Sequence, residues 1–87
     1  MVGLTMFHDP GHGWLRVVKG DLKYFGISEK VSTYSYQDDK GFAYLEEDCD
    51  ADLFITALKK EDREIMIIHD SVDDDSFIRD LPRYTIW

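Results

Sequence analysis

Two imidazoles and a carboxylate stand within five residues at His8-Asp9-Pro10-Gly11-His12, and His69-Asp70 adds a third imidazole beside an acid. Zinc or manganese accepts such donors. The spacing falls on a Pro/Gly turn, not on a helix that would align positions i and i+4. Asp9-Pro10-Gly11 is also ordinary turn chemistry, with Asp9 bonded to its own backbone. Neither a metal nor any other cofactor is therefore assigned. Cys49 is the single cysteine and lies among acids, which raise its pKa and blunt it as a thiolate. No serine, cysteine or lysine sits in a recognisable nucleophile motif, and an enzyme is not expected.

The remaining chemistry is charge. The chain carries 10 Lys and Arg against 18 Asp and Glu, a formal net charge of −8 over 87 residues. Residues 1–45 hold five acids and five bases, whereas residues 46–87 hold thirteen acids and five bases, so the second half carries the whole excess. It is densest in Glu46-Glu47-Asp48-Cys49-Asp50-Ala51-Asp52 and in Asp70-Ser71-Val72-Asp73-Asp74-Asp75. Autonomous nucleic-acid binding is disfavoured, because it rests on Lys and Arg neutralising phosphates. Net negative charge keeps small proteins soluble. Carboxylates on a rigid frame can also occupy a basic groove in place of phosphates, with fast and salt-sensitive association.

Length and composition limit what can hold these groups. Eighty-seven residues, 44% hydrophobic and 14% aromatic, make one folded domain over 1–87, too small to enclose a large active site. One cysteine excludes an internal disulfide and suits a reducing cytoplasm. No apolar run approaches a membrane span, and the N-terminus lacks a secretion signal, so a complete cytoplasmic chain with no membrane partner is expected.

The elements follow from pattern and punctuation. Val2–Phe7 and Trp14–Val18 flank the Pro/Gly turn as a hairpin from about 3 to 18. A short helical segment opens at Asp21 and ends at Gly26. Ser32–Gln37 alternates, Asp38-Asp39-Lys40-Gly41 supplies a turn, and Phe42–Leu45 returns. A period of two places Tyr34, Tyr36, Phe42 and Tyr44 on one side of that hairpin. A helix runs from Asp50, capped by Asp48 or Asp50, through Leu53, Phe54, Ala57 and Leu58 to Lys59-Lys60. Glu64–Ile68 reads as a buried strand. Asp73 or Asp74 caps a helical turn carrying Phe77 and Ile78, and Tyr84-Thr85-Ile86-Trp87 docks as a final strand. The class is α+β, an antiparallel sheet with two helices on one face in ββαββαβ order, of the ferredoxin-like kind.

Lys40-Gly41-Phe42-Ala43-Tyr44-Leu45 resembles the RNP1 motif of RNA-recognition domains, whose aromatics stack on bases from an open sheet. The motif's last aromatic is replaced by Glu47, and Leu4-Thr5-Met6-Phe7 lacks the partner pattern, so Phe42 and Tyr44 are expected to pack with Tyr34 and Tyr36 against the core or a partner, and the motif speaks more for the fold than for RNA. A second resemblance covers roughly residues 5–58. His8-Asp9-Pro10-Gly11-His12-Gly13-Trp14-Leu15-Arg16-Val17, Tyr34-Ser35-Tyr36-Gln37 and Ala43-Tyr44-Leu45-Glu46-Glu47-Asp48-Cys49-Asp50-Ala51 look like a family of small proteins carried by phages, prophages and plasmids. That resemblance brings no activity or site residues with it. It implies a setting, since mobile elements carry many small inhibitors of host machinery, such as anti-CRISPR proteins.

The expected function is a non-enzymatic binding protein in a bacterial cytoplasm, monomeric or homodimeric, that occupies the basic, nucleic-acid-binding surface of a host protein. Glu46, Glu47, Asp48, Asp50, Asp52, Asp73, Asp74 and Asp75 are the expected contacts. Tyr34, Tyr36, Phe42 and Tyr44 form an aromatic anchor if their face is open. The alternatives are a single-stranded nucleic-acid platform of RNP1 type and a metal-binding domain at His8, His12 and His69.

Overall fold

The computed structural model describes residues 1–86. Strands β1 (Val2–His8) and β2 (Gly13–Val18) form the first hairpin, antiparallel from Thr5↔Arg16 to His8↔Gly13. Helix α1 (Lys19–Tyr24) follows at once. Gly26, at φ 72°, closes it: Gly26 N–H donates to Lys23 O and Ile27 N–H to Leu22 O, the paired bonds of a Schellman end. Strands β3 (Tyr36–Gln37) and β4 (Phe42–Glu46) make the second hairpin, followed by helix α2 (Ala51–Lys60) and strand β5 (Ile65–Ser71). The α+β class and the ββαββαβ order agree with the sequence pattern.

The sheet order is β3-β4-β2-β1-β5. All neighbours are antiparallel except β1 and β5, which run parallel from Val2↔Ile65 to His8↔Ser71. Two crossovers, β2-α1-β3 and β4-α2-β5, pass over other strands as in a ferredoxin-like sheet. Strand β1 lies between β2 and β5, and its direction accounts for the one parallel pair.

Alternation gives the sheet two apolar faces. Met6, Leu15, Val17, Ala43 and Leu45 pack under Leu22, Ala51, Phe54 and Leu58 of the helices. Full burial of a Leu or Phe contributes about 1.5–3 kcal/mol, so this layer is the main source of stability. Trp14, Tyr36 and Tyr44, with Phe7 and Phe42 beside them, point the other way. That second face is not left open. Residues 76–81 cross it as a strap, with a 3₁₀ turn at Phe77–Asp80 that buries Ile78 completely. Ser76, not Asp73 or Asp74, caps this turn by accepting a bond from Ile78 N–H at 3.3 Å.

Four local expectations change. Residues 32–35 are a turn instead of strand, because the Asp50 carboxylate accepts bonds from Ser32 N–H, Ser32 O–H and Ser35 O–H and pulls this segment onto the start of α2. Asp50 holds the N-cap position of α2 but spends its side chain on those serines. Strand β5 is an edge strand and only half-buried: Ile65 and Ile67 face the helices, while Met66 and Ile68 are exposed. The last segment bridges β3 at Tyr36↔Arg83, with Gln37 N–H bonded to Pro82 O and Tyr84 N–H to Ser35 O. Of the expected final strand, Trp87 lies outside the described residues.

Candidate functional site at the acidic end of the sheet

Strand directions decide where the charge goes. β1, β4 and β5 all run toward the end of the sheet from which β2 departs. The residues that follow β4 and β5 are the two acidic runs, so topology brings both to the end that also holds the His8–Gly13 turn. The opposite end mixes Lys19, Lys40, Lys59, Lys60 and Arg63 with Asp21, Asp38, Asp39, Glu61, Asp62 and Glu64. Charge is thus segregated along the strands: one end balanced, the other acidic.

The expected contact residues separate by burial. Glu47, Asp48, Asp52, Asp73, Asp74 and Asp75 are exposed. Glu46 and Asp50 are not on that surface. Asp50 is 2% exposed and committed to Ser32 and Ser35, while Glu46 ends a strand whose even positions face inward with Tyr44. The aromatic set also divides. Tyr36 and Tyr44 are buried and Phe42 half-buried under the strap, with Phe77 edge-on to Tyr44 at 5.9 Å. Tyr34, in the turn made by Asp50, is 65% exposed and is not part of the buried cluster. The RNP1-like aromatics therefore form a second core layer.

The three histidines fall into two sets on opposite faces of the sheet. On the helix face, His8 Nε2 lies 2.7 Å from His69 Nδ1 with the rings stacked at 5.0 Å. Glu47 adjoins this pair: a Cβ added at Gly13 would stand 2.5 Å from its carboxylate and 3.1 Å from His8 Nδ1. A side chain at position 13 would have to displace the Glu47 carboxylate. On the strap face, His12 Nδ1 lies 3.4 Å from Glu46 Oε1 beside the Trp14 ring, and the donor atoms of His12, Glu46 and Asp48 all fall within 4.8 Å of one another. They line a cleft of about 380 Å³ together with Trp14, Tyr34, Tyr36, Arg79 and Arg83.

Asp9 joins this end to the strap. Its carboxylate accepts Gly11 N–H and His12 N–H at 3.0 Å, which is the turn chemistry expected of Asp9-Pro10-Gly11. The same group accepts Ser76 N–H at 3.0 Å and a two-pronged contact from Arg79, Nε at 2.6 Å and Nη2 at 2.9 Å. The Arg79 guanidinium holds the Asp9 carboxyl well below the usual carboxylate range; burial opposes the shift, and the Ser76, His12 and Gly11 amides reinforce it. Arg79 also lies over the Trp14 ring at 5.3 Å. Sequence reasoning missed Arg79 and Ser76, which lie about seventy residues from Asp9, and no local pattern marks such a pair.

The chain matches no family model, no curated protein and no solved structure. Cys49 is exposed, and the Glu46 carboxylate beside it, with the charges of Asp50 and Asp48, pushes its thiol pKa up. Among the described residues no helix is long and apolar enough to cross a membrane. What the end of the sheet offers is fixed negative charge, two imidazole clusters and a shallow cleft.

Proposed function

We propose that the protein is a binding module whose acidic sheet end occupies a basic surface on a partner protein. The observation that carries this reading is the convergence of both acidic runs on one end of a rigid sheet, with Glu47, Asp48, Asp52, Asp73, Asp74 and Asp75 exposed. Their cationic neighbours are few. Asp75 comes within 3.8 Å of Arg79, which already holds Asp9, and none of the other five is in an ion pair with Lys or Arg among the described residues. A field of this kind steers a basic partner into contact and weakens with salt. Resemblance to proteins of phages and plasmids supplies the setting: the partner is a host protein, and covering its nucleic-acid surface inhibits it. A platform of RNP1 type is less well supported, because Tyr44 and Tyr36 are already covered by Ile78 and Phe77.

The test compares wild type with the triple variant Asp52→Lys, Asp73→Lys, Asp74→Lys. These side chains are exposed, so the fold should survive the exchange. Binding is measured to the heparin-retained, basic fraction of a bacterial lysate at low and moderate salt. The wild type should bind and lose binding as salt rises, and the variant should fail at both. Equal binding by the variant at moderate salt removes the reading.

A further inference from the structure

We infer that His12, Glu46 and Asp48 form a binding site for a divalent first-row transition cation of the zinc type. Glu46 is the centre of the case. Its side chain is 8% exposed, yet no Lys or Arg comes within ion-pair distance among the described residues. Oε2 accepts Asp48 N–H at 3.0 Å. What faces the buried charge is an imidazole and a second carboxylate. The cleft's two arginines are committed elsewhere: Arg79 to Asp9, and Arg83 to Thr33 O and the Tyr36 ring. An imidazole and two carboxylates this close, with no Lys or Arg paired to Glu46 among the described residues, form a donor set that a first-row divalent cation accepts.

Donor geometry points the same way. His12 Nδ1 and Glu46 Oε1 are 3.4 Å apart, beyond the usual range of a nitrogen–oxygen hydrogen bond. Two ligands placed about 2.0–2.2 Å from one tetrahedral zinc are separated by roughly 3.4 Å. Asp48 brings its carboxylate within 4.8 Å of both and, being exposed, can turn toward a shared ion. Two of the donors sit on fixed backbone. Glu46 is pinned at the end of β4 by its bond to Asp48 N–H and by Ser35 Oγ on its own N–H. His12 is held by the Asp9 turn, two residues before the Trp14↔Glu46 pair. One imidazole with two carboxylates favours zinc over magnesium or calcium, and three protein ligands leave a fourth position open to the cleft.

The test uses the purified chain alone, so its outcome is independent of partner binding. Trp14 and Trp87 are the two tryptophans, and a Trp87→Phe background leaves the indole whose ring centre is 5.9 Å from that of His12. Titration with Zn²⁺ by calorimetry and with Co²⁺ by Trp14 fluorescence should show one equivalent bound and the emission quenched. His12→Ala and Asp48→Asn, both exposed positions, should each weaken binding by more than the roughly 10–100-fold that loss of an outer-shell partner costs. His69→Ala should leave it unchanged, and Mg²⁺ should not compete. The inference is overturned if Zn²⁺ does not bind, if binding survives His12→Ala, if His69→Ala abolishes it, or if Mg²⁺ competes equally.

Discussion

Replacing Asp9 by Asn tests the strap more directly than any apolar substitution. The Asp9 side chain has no solvent exposure, and it accepts five hydrogen bonds: two from its own turn, one from Ser76 and two from Arg79. An amide keeps the shape but turns one acceptor into a donor that faces existing donors. Breaking a buried pair in this way costs about 3–5 kcal/mol. Arg79 keeps 32% of its side-chain exposure, so the freed guanidinium regains water and the expected loss is nearer 2–3 kcal/mol. For a domain of this size that lowers Tm by about 10–20 °C. The sign with pH is fixed by the depressed Asp9 pKa. Its contribution is fully present above the unfolded value near 4 and is lost as pH falls below it, so Asp9→Asn should flatten the acid limb of the stability profile. Thermal melts between pH 2 and 7 measure both effects. In the Trp87→Phe background, Trp14 emission should shift red as the strap loosens. A Tm within a few degrees of wild type, or an unchanged acid limb, would refute the anchoring role.

Two further outcomes follow from the same packing. Ile78→Ala removes a side chain with no solvent exposure and should cost about 2–5 kcal/mol in chemical denaturation, with Trp14 exposed to quenchers before global unfolding. Asp50→Asn should release the 32–35 turn at a cost of about 2–3 kcal/mol, seen as faster amide exchange at Ser35 and Glu46 while α1 keeps its protection.

Much of the fold was legible because its signals are local. Gly26 and Gly41 sit where positive φ is needed, at 72° and 94°, and each ends the element expected of it. The span of α2 was readable from the spacing of Leu53, Phe54, Ala57 and Leu58. Errors arose where a distant side chain competed with local pattern. Ser32–Gln37 alternates like a strand, but Asp50 offers Ser32 and Ser35 better bonds than a strand edge would, and Tyr34 turns outward as a result. The strap was illegible for a similar reason. Nothing in Ser76-Phe77-Ile78-Arg79 shows that Asp9 waits across the sheet, so packing of the aromatic face could be expected but not the segment that covers it.

The acidic run at 46–52 illustrates how a linear motif changes once it is folded. Read along the chain it is a block of charge suited to one partner surface. On the sheet its residues alternate, and three fates follow from three positions. Glu46 turns to the strap face with His12, Glu47 turns to the helix face beside His8, and Asp50 turns inward to organise a loop. A partner approaching the acidic end meets Glu47, Asp48 and Asp52 from this run and draws the remaining charge from Asp73, Asp74 and Asp75, while Glu46 and Asp50 are buried. The buried members do different work, and that is why the two proposals separate by experiment. Reversing Asp52, Asp73 and Asp74 leaves the His12–Glu46–Asp48 cluster intact, while His12→Ala leaves all three of those surface charges in place.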